Sequence, residues 1–213
     1  ELKNIEVIHP GVSSFEHIIE EKVNLIDGSP TLLTLARLEK RKGHEFILQS
    51  INKLKDKYPN IRYIIAGEGE EKSKLKTLVQ SLNISKNVIF IGSVNDGEKK
   101  FILKKTDLMI MPTIDESKKL SIEGFGITYI EAALFGIPSI ASNVGGTIEA
   151  VLHNNTGIVI DNLDELEITI SDLIEDKIKM KKLGENAKKR AQSQLSWTNI
   201  IKDYNKLIVE ATL

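Results

Sequence analysis

Short apolar runs alternate with longer stretches of helical periodicity in this chain, and that alternation constrains the fold more than any other feature. The runs are rich in Ile, Val and Leu: Thr31–Ala36, Ile61–Ala66, Asn87–Ile91, Asp107–Met111, Pro138–Ala141 and Gly157–Ile160. Their low internal polarity is typical of strands that are covered on both faces. Amphipathic stretches separate the first five: His44–Lys57, Glu70–Leu82, Asp96–Lys104 and Ile127–Phe135. Repeated strand–helix–strand units predict an α/β fold, a Rossmann-like parallel sheet of about six strands flanked by helices.

The regions before and after this alternation differ from it. Residues 1–29 are interpreted as an interdomain linker with one strand, Glu6–Ile8, and residues 30–195 as the main domain. After Ile160 only helical patterns follow: Leu163–Ile174, Lys177–Gln192 and Trp197–Val209. Residues 196–213 are therefore predicted to form a separate terminal helix. Since the chain opens at Glu1 without Met, we expect it to belong to a longer protein.

Composition excludes several classes of function. The net charge of −1 gives no general attraction to nucleic acid. No cysteine is present, and the four histidines are scattered without metal-ligand spacing, so no metal site is predicted. No apolar run approaches the ~18 residues that cross a bilayer. A cytoplasmic location fits these features.

One stretch of the C-terminal region is strongly basic. Lys177–Arg190 carries seven basic residues and one acid. It is either a patch that faces a membrane or another polyanion, or a solvated helix face in a lysine-rich protein, and the solvated face is the simpler interpretation.

A long segment near the middle of the chain has almost no charge. Between Gly124 and Ile148 the one charged side chain is Glu131, although 28% of the chain is charged. The segment is therefore predicted to be buried. A carboxylate in such surroundings needs a partner. Glu131 either caps a backbone amide of the core or, together with Glu123 upstream, binds a polar ligand.

Residues that follow the predicted strands should lie at one edge of the sheet, where open α/β sheets bind ligands. Arg37 and Lys42 follow the first strand, and a guanidinium with an ammonium at a helix start suits a diphosphate. An ordinary basic turn is the alternative, because Lys40 and Arg41 are equally basic.

Small residues follow the next two strands. Gly67 and Gly69 follow the second, and a GxG pair at a helix start is a weak signal that also fits a turn. Gly92-Ser-Val94 follows the third and permits a close approach of the backbone to a ligand. The dinucleotide fingerprint GxGxxG and the P-loop pattern are both missing from the sequence.

The combined spacing is more specific than any single motif. Backbone amides near Gly126 and Ile127 would face a phosphate at a helix N-terminus. Glu131 would lie about 7 Å further along that helix, roughly one ribose away. Glu123 would lie on the other side of the phosphates. The pattern predicts that a sugar, a diphosphate and a ribose bind in line.

At this point the motifs resemble those of a known family. They are Arg37-x4-Lys42-Gly43, Gly67-x-Gly69, Glu123-Gly-Phe-Gly-x4-Glu131-Ala, Gly136-x-Pro138 and Gly145-Gly-x2-Glu149. Over most of its length, in the same order, the chain resembles the retaining glycosyltransferases of family 4. The resemblance implies the C-terminal, nucleotide-sugar-binding domain of a GT-B enzyme. The terminal helix would pack on the missing N-terminal domain.

The resemblance also implies roles for the reacting end of the site. Arg37 and Lys42 would bind the diphosphate and stabilise the negative charge that grows on the leaving group, without a metal or other cofactor. Glu123 would bind hydroxyls of the donor sugar. These are the three residues expected to take part in catalysis.

The remaining implied contacts bind the donor. Amides of Phe125, Gly126 and Ile127 would contact sugar and phosphate, while Glu131 would bind ribose and Val94 the base. Gly67 and Gly69 would line the same site. The donor would be a UDP- or GDP-linked hexose, and the acceptor a glycan or lipid-linked sugar that binds through the N-terminal domain. No nucleic acid is involved, and peripheral contact with the inner face of the membrane is left open.

Two features depart from the family pattern, and two other functions stay open. The sequence has His9-Pro-Gly-Val-Ser13 where Pro-Asn-Gly-Val-Asp is usual, and the loop Ile114–Ile122 is long. The alternatives are a non-catalytic sugar-nucleotide-binding module and a sugar-nucleotide epimerase of the same architecture. An epimerase would need acid and base groups near the sugar, where only Glu123 is found.

Overall fold

The computed structural model describes residues 6–116 and 121–212, with side chains as far as Val209, and the elements below are those of the described residues. The strands are β1 (Thr31–Leu35), β2 (Arg62–Ala66), β3 (Val88–Gly92), β4 (Leu108–Met111), β5 (Ser139–Ser142) and β6 (Gly157–Ile160). The helices are α1 (His44–Leu54), α2 (Lys72–Ser81), α3 (Asp96–Leu103), α4 (Ile127–Leu134), α5 (Thr147–Ala150), α6 (Leu166–Glu175), α7 (Lys177–Ser193) and α8 (Trp197–Thr212). Short 3-10 helices cover Lys40–Lys42 and Leu163–Glu165.

All six strands form one parallel sheet in the order β3-β2-β1-β4-β5-β6. The predicted Rossmann-like α/β fold is thereby confirmed. The predicted and observed strands of the sheet, and the helices, agree to within three residues at either end, and β6 has the predicted bounds. The helix that was predicted to reach Lys57 ends at Leu54, and the three residues after it form a turn.

The sheet is buried on both faces, as the apolar runs require. Alternate residues of each strand enter different cores: Leu33 and Met109 pack with side chains of α3, α4 and α7. Leu32 and Leu108 pack on the opposite face with side chains of α1, α2 and α6. This three-layer arrangement fixes the strand ends, and therefore fixes the loops that follow them.

The strand order reverses between β1 and β4, which are neighbours in the sheet although two strands separate them in sequence. Crossover helices leave from opposite faces on the two sides of this point. The loops after β1 and β4 therefore diverge at the carboxyl edge and open a crevice between them.

The N-terminal segment differs from its prediction. Residues 6–8 are not in a strand, and the strand-like contact of this region is a single bridge between Val12 and Ser196. The amide of Val12 donates to the carbonyl of Leu195 at 2.8 Å. A lone strand without a neighbouring strand has no ladder to join, which explains why Glu6–Ile8 stays irregular.

The terminal helix is present as predicted from Trp197 and keeps an exposed apolar side, on which Ile201, Tyr204 and Ile208 lie. Every helix of residues 6–116 and 121–212 is too short or too polar to cross a bilayer. The predicted long loop Ile114–Ile122 is described except for residues 117–120, which lie outside the described part of the chain.

Candidate functional site

A cleft of about 460 Å³ opens at the carboxyl edge of the sheet, beside the point where the strand order reverses. Among the residues that line it are Arg37, Gly67, Glu68, Val94, Lys99 and Glu131. They come from the ends of β1, β2 and β3 and from helices α3 and α4. Four residues that the sequence analysis predicted to share a site, namely Arg37, Gly67, Val94 and Glu131, do line one cleft.

Glu131 lies in the second turn of α4 and is held by a lysine of the neighbouring helix. Its carboxylate accepts a hydrogen bond from Nζ of Lys99 at 2.7 Å, and only 15% of its side chain is exposed. The same ammonium lies 3.3 Å from Asp96. Burial alone would lower the pKa of Lys99, but the hydrogen bond and charge of Glu131, aided by Asp96, raise it. Glu131 therefore has a charged side-chain partner and also faces the cleft.

Two glycines allow the loops after β1 and β2 to touch. A Cβ on Gly67 would lie 2.0 Å from the carbonyl oxygen of Ala36, and one on Gly69 would lie 2.5 Å from that of Leu38. Any side chain at either position would push the two loops apart. The GxG pair thus shapes the cleft wall by close packing.

Glu123 lies in the loop before α4 and is bound by two cations. Its Oε2 accepts hydrogen bonds from Nη1 of Arg41 at 2.8 Å and from Nζ of Lys42 at 2.5 Å. The residue is 9% exposed. Burial would raise the pKa of Glu123, yet the hydrogen bonds and charges of Lys42 and Arg41 outweigh burial and hold it below 4.5. The carboxylate is therefore ionised at neutral pH.

A tight turn explains why Arg41 and Lys42 point inward while Lys40 is exposed. Lys40–Lys42 form a 3-10 helix that ends at Gly43, whose φ is +71°. A Cβ at Gly43 would lie 2.1 Å from the carbonyl oxygen of Pro112, so no other residue fits without moving the loop after β4. The amide of Ile114 also donates to the carbonyl of Arg41 at 2.8 Å. These contacts fix the basic turn against the end of β4.

Five charged side chains join the cleft to Glu123 in what we call the charge row: Arg37, Glu39, Arg41, Glu123 and Lys42. Nη1 of Arg37 lies 2.7 Å from Glu39, whose other oxygen lies 3.5 Å from Nη2 of Arg41. Arg41 and Lys42 then meet at Glu123. Cations outnumber carboxylates in the row, so its net charge is positive.

The structure thus separates the two cations that were predicted to act together. Arg37 has a side chain that is 74% exposed, at the cleft end of the charge row. Lys42 is buried at the other end, against Glu123. Their joint contact with a diphosphate stays a prediction, as do the roles of the other site residues.

The start of α4 carries the three predicted backbone contacts. Gly126 is the N-cap residue with φ of +92°, and Ile127 is the first helical residue and is exposed. Phe125 is buried, and its ring centroid lies 4.9 Å from that of His9. His9 in turn lies 2.6 Å from Glu149. The N-terminal segment therefore touches the same edge of the sheet as the site.

Sequence reasoning missed two side chains that hold the predicted carboxylates, Arg41 and Lys99. Arg41 was noted as basic but was not separated from Lys40, because only the turn geometry decides which of them points inward. Lys99 lies four residues beyond Asn95, the N-cap of α3, where the chain leaves the Val94 loop. Examining the helix after β3 together with the helix after β4 could have suggested it.

No cluster of three His, Asp or Glu side chains within residues 6–116 and 121–212 is placed to hold a metal ion. The polar groups of the site are instead carboxylates bound to Lys and Arg. Such a set can accept hydrogen bonds from hydroxyl groups and neutralise an anionic ligand.

Taken together, the strands, helices and cleft define a Rossmann-like domain with an open cleft beside its switch point. The family model for glycosyl transferases group 1 matches residues 16–190. The chain belongs to that family, within the GT-B superfamily.

Curated relatives agree with this assignment. An uncharacterized glycosyltransferase of Methanocaldococcus jannaschii is 29% identical over 211 residues, covering 93% of this chain and 52% of that protein. A GDP-mannose-dependent α-(1-6)-phosphatidylinositol monomannoside mannosyltransferase of Mycobacterium tuberculosis is 28% identical over 173 residues, covering 80% of this chain and 45% of that protein. The chain spans about half the length of these relatives.

Solved structures support the fold. Anabaena HepE in complex with UDP-glucose superposes with a TM-score of 0.73 at 23% identity, covering 84% of this chain and 48% of that one. The C-terminal domain of the group 1 glycosyltransferase LpcC from Francisella tularensis gives a TM-score of 0.70 at 20% identity, covering 81% of this chain and 89% of that domain.

Proposed function

We propose that this chain is the donor-binding domain of a retaining family 4 glycosyltransferase, which moves a hexose from a nucleoside-diphosphate sugar to a glycan or lipid-linked acceptor. The nucleotide binds in the cleft, its ribose hydroxyls donate to Glu131, and its base lies near Val94. The diphosphate lies between the start of α4 and the charge row. The sugar extends toward Glu123.

The observation that carries the proposal is the shared cleft of Arg37, Gly67, Val94 and Glu131 at the switch point. A carboxylate that lines a cleft beside a helix start suits a ligand with hydroxyls at one end and phosphates at the other. Relatives support the same ligand class, since the mycobacterial protein is named as GDP-mannose-dependent and HepE was solved with UDP-glucose.

The charge row accounts for the chemistry that we propose. Cleavage of the sugar–phosphate bond places negative charge on the leaving diphosphate while the sugar gains positive character. Arg37 and Lys42, with the amides at Gly126 and Ile127, stabilise that charge without a metal ion. Glu123 already accepts hydrogen bonds from Lys42 and Arg41, so an anionic ligand competes with it for these cations.

The domain limits follow from the same proposal. Residues 1–29 form the linker, residues 30–195 the nucleotide-sugar-binding domain, and residues 196–213 the helix that packs on an N-terminal domain. The exposed apolar side of α8 suits that contact. The acceptor binds through that other domain, so this chain alone binds donor without transferring sugar.

Thermal shift measurements with UDP, GDP and ADP, each beside its nucleoside, test the proposal. Stabilisation grows with ligand concentration over dissociation constant, so the correct diphosphate raises Tm most. Each nucleoside is the matched control, because it keeps the base and ribose but lacks the diphosphate. The proposal fails if no diphosphate raises Tm above its own nucleoside. Repeating the best case as its glucose and mannose conjugates then identifies the sugar.

A further inference from the structure

Helix α7 concentrates positive charge on one side of a chain that is otherwise acidic. Residues 177–190 hold seven basic residues and one acid, a net charge of +6. Because the whole chain carries −1, the remainder carries −7. The basic charge of this molecule is therefore local.

Most of these cations have no partner among the side chains that the structure describes. The side chains of five exposed lysines make no hydrogen bond or ion pair within the described residues: Lys177, Lys179, Lys182, Lys188 and Lys189. Nζ of Lys181 makes a long contact of 3.8 Å with Oε1 of Glu185. Elsewhere, Lys53 and Lys74 pair with acids of other helices at 3.0 and 2.9 Å. The charge of α7 is thus available to an external anion.

An exposed apolar side chain lies at the N-terminal end of this basic surface, between Lys177 and Lys179. Ile178 is 84% exposed, and it shares a helical stripe with Lys182, Lys189 and the one acid of the helix, Glu185. That stripe faces away from Leu183 and Ala187, which are buried against the domain. We call the exposed side, formed by Ile178 and its surrounding lysines, the basic face of α7.

Packing holds the basic face in a fixed orientation. A Cβ on Gly184 would lie 2.0 Å from the carbonyl oxygen of Gly136, so α7 lies directly against the end of α4. Asp176 caps the helix by accepting from the amide of Lys179 at 2.8 Å. Arg190 donates to the carbonyls of Ala150 and Glu149 at 2.7 and 2.6 Å. Arg190 is therefore structural and does not belong to the face.

We propose that the basic face of α7 docks on a membrane surface that contains anionic phospholipid. The lysines contact headgroup phosphates, and Ile178 enters the interface between headgroups and acyl chains. A dissolved polyanion such as a nucleic acid would contact the lysines but would give an exposed isoleucine no apolar surroundings. This combination of residues favours lipid. The proposal does not depend on the proposed function, since it concerns a different surface.

Vesicle cosedimentation of the whole chain tests the proposal. The vesicles are phosphatidylcholine alone, or phosphatidylcholine mixed with phosphatidylglycerol. We expect binding to the anionic vesicles only. Substituting Lys179, Lys182 and Lys189 by Gln should lower the partition coefficient at least about tenfold, since each lysine near an anionic surface contributes severalfold.

Matched variants separate the face from general charge. Lys22, Lys86 and Lys105, all exposed and outside α7, are replaced by Gln to give the same net charge. This control should change binding less than about twofold. Ile178→Ala should weaken binding about threefold or more, whereas Ile19→Ala, at a residue that is 83% exposed in the linker, should not.

Three results overturn the proposal. They are no binding to anionic vesicles, equal losses in the two lysine triples, and an Ile178→Ala variant that binds like wild type. Heparin serves as the dissolved polyanion. Binding to heparin that needs the α7 lysines, without vesicle binding, would assign the face to a soluble polyanion instead. Circular dichroism of each variant confirms that it is folded.

Discussion

Glu123 and Glu131 lie before and within the same helix, yet the structure satisfies them in opposite ways. Glu123 is buried and accepts hydrogen bonds from two cations, Arg41 and Lys42. Glu131 has one lysine, which it shares with Asp96, and it lines an open cleft. The difference indicates that the Glu123 carboxylate is largely satisfied within the domain. Under the proposed function a ligand competes with Glu123 for its cations, whereas Glu131 accepts ligand hydrogen bonds directly.

Removal of the Glu123 carboxylate should have the largest effect. Glu123→Ala leaves Lys42 buried without a counter-charge beside Arg41, which keeps only the longer 3.5 Å contact to Glu39, and should lower the unfolding free energy by about 3–5 kcal/mol. Urea denaturation at neutral pH measures it. A loss below about 1 kcal/mol would contradict the structural role assigned to this carboxylate.

The pH dependence of stability tests the contact of Glu123 with Arg41 and Lys42 in a second way, because protonation removes the charge of the carboxylate. The folded state holds the pKa of Glu123 below 4.5, so the unfolded chain takes up this proton first as the pH falls. The stabilisation is therefore present above pH 4.5 and is lost as the pH falls through the folded pKa. The advantage of wild type over Glu123→Gln should shrink over that range and stay constant at higher pH.

A histidine behind the basic turn should give the next largest effect. His44 is buried beside Tyr63, and burial lowers its pKa from 6.5 to about 4, while the charge of Lys42 acts in the same direction. The unfolded chain therefore binds this proton first, and stability should fall as the pH drops from about 6.5 to about 4, by on the order of 3 kcal/mol. Stability curves at several pH values measure this.

Two variants isolate that contribution. His44→Gln removes the titrating group and should flatten the stability curve over this interval. His17→Gln changes an exposed histidine and should leave the curve as in wild type. If stability depended on pH in His44→Gln as steeply as in wild type, other groups would cause the acid sensitivity. The titration of His44 behind the Lys42 turn would then contribute nothing to it.

The sequence predicted the sheet well because strand burial and helical periodicity are local patterns. It also predicted which loops would meet, since parallel strands end at one edge. It could not choose Arg41 over Lys40, because that depends on a 3-10 turn that Gly43 permits against Pro112. The pairing of Lys99 with Glu131 needed the helices after β3 and β4 to be considered together, because it depends on how two helices from different crossovers pack. The prediction of a strand at Glu6–Ile8 was wrong, because a strand also needs a neighbouring strand to bond to, and the local pattern does not reveal one.

Glu131, which lines the cleft, should matter more for ligand binding than for stability. Glu131→Ala should weaken binding of the best nucleoside diphosphate by about 1–3 kcal/mol, since the ribose hydroxyls lose their acceptor. Its cost to stability should be smaller than that of Glu123→Ala, because Lys99 keeps Asp96 as a partner. Isothermal titration calorimetry measures the affinity.

Glu68→Ala is the matched control for that measurement. Glu68 also lines the cleft, but its side chain is 48% exposed and is paired with Lys72. We expect its loss to change nucleotide affinity much less than the loss of Glu131. If wild type and Glu131→Ala bound the nucleotide equally well, Glu131 would have no role in ligand binding. It would then be a structural carboxylate with a lysine partner, like Glu123.

The smallest effect should come from a third carboxylate, which extends the comparison to the protein surface. Glu167 of α6 pairs with Lys53 of α1 at 3.0 Å, a distance similar to those at Glu123 and Glu131, but 38% of its side chain is exposed. Solvent screens such a pair, so Glu167→Ala should change the unfolding free energy by less than about 1 kcal/mol. Urea denaturation beside Glu123→Ala and Glu131→Ala would then rank three ion-paired carboxylates by burial. If Glu167→Ala cost as much as Glu123→Ala, the presence of a short contact would matter more than its removal from water, and the distinction drawn between Glu123 and Glu131 would lose its physical basis.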